Sequence, residues 1–315
     1  MSLNIGLKRF LKKVPGVLPT YNFFQNYNGE ALASISARLA QIDVDSLNQQ
    51  LQRGIITQYK IALNAGIKPY EHIADAGFRC YSQFEEDGII LYVLTAIGIK
   101  NRTVVEICCG SGDECMATNL IFNHGFKGYL FDGDLNHISA AKIFFENKKD
   151  CYLYKPTLTQ AWITKDNINK LLEGSSINGE VDLLSLDIDG NDYYVWEAIS
   201  SINPRLCVFE THNIIPGDLS VTIPYDENFL FTNAKGHDQE FRSASLLAMQ
   251  KLSARKGYRL IGGHRHGFNV FFLRNDLGGS IFPEVSIAEV HDNYWTVFSQ
   301  QTRWPNVKNM GWESV

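Results

Sequence analysis

The chain has 315 residues and a formal net charge of −5, with 34 acidic and 29 basic side chains. That length accommodates one large α/β core with extra segments at its ends, and the interspersed charge gives no electrostatic footprint for nucleic acid. Six cysteines, two of them adjacent at Cys108 and Cys109, match neither a disulfide framework nor the spaced pairs of a zinc site, so they are expected to be reduced thiols in a cytoplasmic protein.

No apolar run approaches the roughly 20 residues that span a bilayer, and the N-terminus lacks the apolar core of a secretion signal. From Leu3 to Val14, apolar residues at helical spacing oppose Lys8, Arg9, Lys12 and Lys13. This predicts a short basic amphipathic helix that could lie on the inner face of a membrane, dock on its own domain or meet a second subunit. Glu30 to about Gly66 again has helical periodicity, so residues 1–80 are expected to form a helical N-terminal region.

Short β-rich runs then alternate with helical stretches, the signature of repeated βα units. Strands are expected at 103–108, 128–132, 151–155, 181–188 and 205–210, with helices at 116–124, 137–147, 165–172 and 193–200. A long connection at 211–241 precedes a helix at 243–256 and two apolar runs, 258–261 and 268–274, separated by a glycine- and histidine-rich turn that predicts a hairpin. A mostly parallel sheet closed by an antiparallel hairpin is the strand pattern of the Rossmann-like class I methyltransferase sheet. The domain is expected over 81–276, with 277–315 a packed C-terminal arm.

Four strand ends carry the chemistry. Glu106, Gly110 and Gly112 belong to a strand that runs through a small-residue loop into a helix, where glycine lets the backbone approach a ligand. Asp132 ends the next strand about 20 residues on, where a carboxylate can accept ribose hydroxyls; Asp134 is its rival, with helix capping the simpler role for Asp134. Asp187, Asp189, Asn191 and Asp192 follow the fourth strand, and helix capping is expected for Asn191 or Asp192. Glu210, His212 and Asn213 end the fifth. Ligands bind open α/β sheets along that edge.

The set Tyr81-Ser82-Gln83 with Glu86-Asp87-Gly88, the Glu106–Asp113 loop, Phe131-Asp132-Gly133-Asp134 and Leu186 to Asp192 resembles the FkbM-like branch of class I methyltransferases, over roughly residues 81–274. The sequence departs from that pattern at Cys108-Cys109, where Gly or Ala is commoner. The resemblance implies S-adenosylmethionine as cofactor, held by Gln83, Glu106, Gly110, Gly112, Asp132 and Asp187, and O-methylation of a sugar, glycan or other polyhydroxylated acceptor, often in polysaccharide biosynthesis.

For the catalytic base, His212 is the first candidate because imidazole titrates near neutrality, and Asp189 the second. His264 and His266 are expected to be exposed in the hairpin turn, and 213–241 to be an acceptor-binding lid. No metal is assigned, although Asp187, Asp189, Glu210, His212 and Asn213 include donors suited to a hard divalent ion. A nicotinamide-dependent oxidoreductase and a non-catalytic nucleotide-binding module of a polysaccharide assembly are the alternatives, and homo-oligomer formation is left open.

Overall fold

A computed structural model describes residues 44–315; the basic helix expected at 3–14 lies outside them. Packing divides the chain into Met1–Arg53 and Gly54–Val315, and helix α1 (Val44–Asn64) crosses the division. Residues 54–80 and the C-terminal arm thus share one unit with the domain expected over 81–276.

In chain order follow α2 (Glu86–Ile97), β1 (Thr103–Ile107), α3 (Met116–His124), β2 (Lys127–Asp132), α4 (Leu135–Glu146), β3 (Thr157–Gln160), α5 (Ile168–Gly174), β4 (Gly179–Leu186), α6 (Asp192–Ala198), β5 (Ile202–Glu210), β6 (Val221–Thr222), α7 (Leu246–Arg255), β7 (Tyr258–Gly263) and β8 (Asn269–Arg274). The arm adds α8 (Ile287–His291), α9 (Tyr294–Thr302), α10 (Trp304–Val307) and β9 (Glu313–Ser314), which pairs with β6.

Seven strands form one sheet in the order β3-β2-β1-β4-β5-β8-β7. β1 to β5 are parallel, β8 runs antiparallel to β5, and β7 antiparallel to β8. This is the mostly parallel sheet with an antiparallel closing hairpin that the sequence predicts. Because side chains alternate across a strand, neighbouring apolar residues enter opposite cores. Val104, Leu183 and Phe271 pack under α2 and α3, while Val105, Leu184 and Phe272 pack against α6 and α7. Burial on both faces explains why these strands read as continuous apolar runs.

One strand moves. The run at 151–155 is not β3: Cys151 ends a 3-10 turn, Tyr152, Leu153 and Tyr154 are exposed, and pairing begins at Thr157, opposite Tyr129. Pro156 has no N–H to donate, so the ladder starts after it. β-Branched and aromatic propensity had suggested a strand where the chain makes a protrusion.

Candidate active site

The C-terminal ends of β1, β2, β4, β5 and β7 lie along one edge of the sheet, since all five strands point the same way. Backbone strain gathers there. Cys108 (φ +73°), Gly110 (+55°), Gly112 (+82°) and Asp189 (+55°) are all in the left-handed region, which a side chain with a Cβ adopts at a cost of about 1–2 kcal/mol. At position 108 glycine would be free of that cost.

The loop at 80–84 is built by a buried carboxylate. Asp87 Oδ2 accepts hydrogen bonds from the N–H groups of Cys80, Tyr81 and Ser82 at 2.7–2.8 Å and from Ser82 Oγ at 2.9 Å. A Cβ on Gly88 would lie 2.3 Å from Ala76 O and Phe78 N, so only glycine fits. Glu86 accepts from Phe84 N and Asn269 Nδ2, linking the loop to β8. The Tyr81 to Gly88 motif is thus a bracket that presents Gln83 and Phe84.

Two cavities open along the edge. A cleft of about 410 Å³ is lined by Cys108, Asp132, Gly133, Asp134, Trp162 and Phe229, among others. A pocket of about 670 Å³ is lined by Gln83, Asp187, Glu210, His212, Arg242 and Trp295, among others. Asp189 lines both.

In the cleft, Asp132 is buried and already organises its surroundings. Oδ2 accepts from Gly110 N at 2.9 Å, and Oδ1 from Asp134 N at 2.8 Å, with His137 Nδ1 at 3.2 Å. A carboxylate has room for further donors. Asp134 caps α4 through Asn136 N, the role expected for it. A Cβ at Gly133 would fall 2.9 Å from the Trp162 ring, so glycine lets the indole close over the strand end. Trp162 Nε1 donates to Glu227 O at 2.6 Å.

The wider pocket is a charge cluster. Asp187, Asp189 and Glu210 each bring an oxygen within 4.8 Å of the others, and Arg242 meets Asp189 at 2.5 Å and Glu210 at 3.9 Å. Asp187 Oδ1 has no hydrogen-bond partner. Burial, then the Glu210 and Asp189 charges, raise the Asp187 carboxyl well above the usual carboxylate range. Burial likewise pushes Glu210 up to about 7, opposed by its hydrogen bond from Asp187 and by Arg242. Neighbouring carboxyls that cannot both ionise share a proton near neutrality.

Other expected site residues take different places. Glu106 lines neither cavity: its carboxylate accepts from Met116 N (3.0 Å), Ala117 N (2.6 Å) and Cys115 Sγ (3.1 Å), holding the start of α3. Burial raises it to about 7 against those bonds. Gly110 and Gly112 shape the loop behind the cleft without lining it, while Gln83 and Asp187 belong to the wider pocket. Neither Asn191 nor Asp192 caps α6. Asn191 Nδ2 donates to Asp226 O, and Asp192 accepts from Ile188 N and Gly190 N, bracing the strained Asp189 turn.

His212 is poorly suited to be a base. Its Nε2 lies 2.7 Å from Glu240 O, and burial, with Arg242 next, pushes its pKa down to about 3. The imidazole is neutral and holds the backbone at Glu240. Among the described residues the acids within ligand distance of one another are Asp187, Asp189 and Glu210, without His212, while Asn213 Nδ2 donates to His266 O and Thr296 Oγ1. His264, expected to be exposed, is 3 % exposed and lies 3.4 Å from Glu86; His266 lines the wider pocket.

Several lining residues escaped the sequence. Arg242 follows the long connection, and Tyr294, Trp295 and Arg303 come from the arm, more than 80 residues beyond Glu210 and His212. The connection expected as an acceptor lid places Phe229, Leu230, Phe231 and Thr232 on the cleft with Asp132 instead. Trp162 could have been found by its position just after β3, had that strand been placed at 157–160.

No family model and no curated protein matches the chain. Solved structures similar to it include the magnesium protoporphyrin IX methyltransferase of Synechocystis PCC 6803 with bound SAM (11 % identity, 60 % of this chain and 77 % of that one, TM-score 0.39). Others are a putative sarcosine dimethylglycine methyltransferase of Galdieria sulphuraria (11 %, 60 % and 69 %, TM-score 0.39) and the N-terminal domain of EvdMO1 with SAH bound (11 %, 70 % and 96 %, TM-score 0.39). Likeness at this level decides neither cofactor nor acceptor, which rest on the site itself.

Proposed function

We propose that the chain is an S-adenosylmethionine-dependent methyltransferase of the FkbM-like kind that methylates a hydroxyl of a sugar, glycan or other polyhydroxylated acceptor. The observation that carries this reading is the junction of two unlike cavities at Asp189. One has a carboxylate at the end of β2 beneath aromatic walls, the ribose and base environment of a nucleoside. The other gathers carboxyls that share a proton.

Asp132 would accept the ribose hydroxyls, with Trp162, Ile163, Phe229 and Phe231 enclosing the adenine; Gln83 and Asp187 would meet the methionine portion. Bound there, S-adenosylmethionine would supply an electrophilic sulfonium methyl group for transfer to the acceptor oxygen. The chain's own residues align the acceptor and take its proton. That base is the Asp187–Glu210 pair, because a carboxyl held near neutrality can both receive and release a proton at working pH. Arg242 holds Asp189 in place and supplies the positive charge that three close carboxylates require.

Calorimetric titration of the purified protein with S-adenosylmethionine and with NAD tests the cofactor, using Asp132→Asn and Trp162→Ala as site variants. Binding of S-adenosylmethionine alone, weakened in both variants, is expected; binding of NAD alone, or of neither, sinks the reading. Methyl transfer should survive exhaustive chelation, since Arg242 already occupies the acid cluster. Loss restored by Mg²⁺ would assign Asp187, Asp189 and Glu210 to a cation.

A further inference from the structure

Tyr152, Leu153 and Tyr154 are 81 %, 78 % and 77 % exposed. Three consecutive large apolar side chains standing in solvent are unusual on a folded domain. The protrusion is firmly seated, because Cys151 before it is fully buried in the core and Pro156 after it is buried. Ile143 of α4, an element that packs on the same turn, is 62 % exposed.

Residues 142–155 hold four lysines, Lys142, Lys148, Lys149 and Lys155, against two acids, Glu146 and Asp150. Lys155 pairs with Glu146 at 3.6 Å, and Lys148 lies over the Phe122 ring at 5.6 Å. The protrusion therefore offers aromatic and aliphatic tips within a net positive collar.

From this geometry we propose that the 152–154 protrusion seats the protein on an anionic lipid surface. Tyrosine suits the headgroup level, where one end of the ring is apolar and the other wet, and lysines near an anionic surface add attraction. A second copy of the chain fits less well. The three side chains expose on the order of 400 Å², about half of what each partner gives a standard interface of about 800 Å². A two-fold contact here would also face lysine with lysine. The protrusion precedes β3, at the sheet edge opposite the site, so a docked molecule keeps its pockets open to solvent.

Sedimentation of the full chain with phosphatidylcholine vesicles, with and without phosphatidylglycerol, tests this. The protein should pellet only with the anionic vesicles and be released by salt. The triple variant Tyr152→Ser, Leu153→Ser, Tyr154→Ser and the single variant Lys149→Glu should each lose roughly tenfold in affinity, with circular dichroism and S-adenosylmethionine titration unchanged from the parent. No pelleting, equal pelleting on neutral vesicles, undiminished binding by either variant, or a dimer that the triple variant abolishes would each overturn the proposal.

Discussion

Two pairs of buried carboxylates stand at strand ends along the same edge, and their surroundings differ. Glu106 and Asp132 have donors on both oxygens, chiefly backbone N–H groups at the start of α3 and in the turns after β1 and β2. Asp187 and Glu210 face each other across β4 and β5 with Arg242 as their nearby cation, and Asp187 keeps one oxygen unpartnered. A buried carboxylate that accepts from backbone N–H groups organises the chain around it, whereas one with an unpartnered oxygen stays available to a proton. Glu106 shapes the site, Asp132 does so while keeping room for a ligand's donors, and Asp187 with Glu210 is placed to do chemistry.

Glu210→Gln should separate the two roles most sharply. Losing the base should lower kcat by about 10²- to 10⁴-fold with S-adenosylmethionine affinity little changed. Its effect on stability should have the opposite sign. Glu210 titrates at about 7 in the fold against an ordinary value of 4.5, so the stability it contributes is present below about 4.5 and is lost as pH rises through about 7. The variant should therefore be more stable than the parent above neutrality, by on the order of 1–2 kcal/mol in urea unfolding. Equal activity would remove Glu210 from the mechanism.

Glu106→Ala should do the reverse. It leaves the N–H groups of Met116 and Ala117 buried without an acceptor, which should cost about 2–4 kcal/mol of stability, read from the urea midpoint. If Glu106 instead contacts the cofactor, affinity will fall in a variant that is otherwise stable.

The rate itself should rise with pH through about 7, as the Asp187–Glu210 pair loses its proton. Arg242 favours the ionised forms of both carboxyls, so Arg242→Met should move that rise upward by roughly one pH unit. A pH–rate profile of kcat/KM measures the shift; an unmoved profile would assign the titration to another group.

How much of this was legible in the sequence follows from how locally each feature is encoded. The sheet could be read because β1, β2, β4, β5 and β8 bury both faces and so carry apolar runs, and Asp132, Asp187, Asp189 and Glu210 could be read because each lies within three residues of the end of such a run. β3 could not, since Tyr152 to Tyr154 has strand propensity but no partner behind Pro156. The role of His212 was hidden because burial, and then the charge of Arg242 about 30 residues away, hold its imidazole neutral against the hydrogen bond to the Glu240 carbonyl. Trp295 and Arg303 reach the pocket only through the packing of the arm, for which periodicity carries no signal.

The smallest effect is expected at Asp134, two residues from Asp132 and equally acidic, and it tests how far sequence proximity can mislead. Asp134 caps α4 through Asn136 N and is itself exposed; Asp134→Ala should cost about 1 kcal/mol of stability and leave S-adenosylmethionine binding intact. Asp132→Asn should show the converse, since its side chain lies at the floor of the cleft. Thermal melts and titration of the two variants side by side decide the matter. If Asp134→Ala were the variant that lost the cofactor, the cap would be incidental, and the ribose would be read from the helix start instead of the strand end.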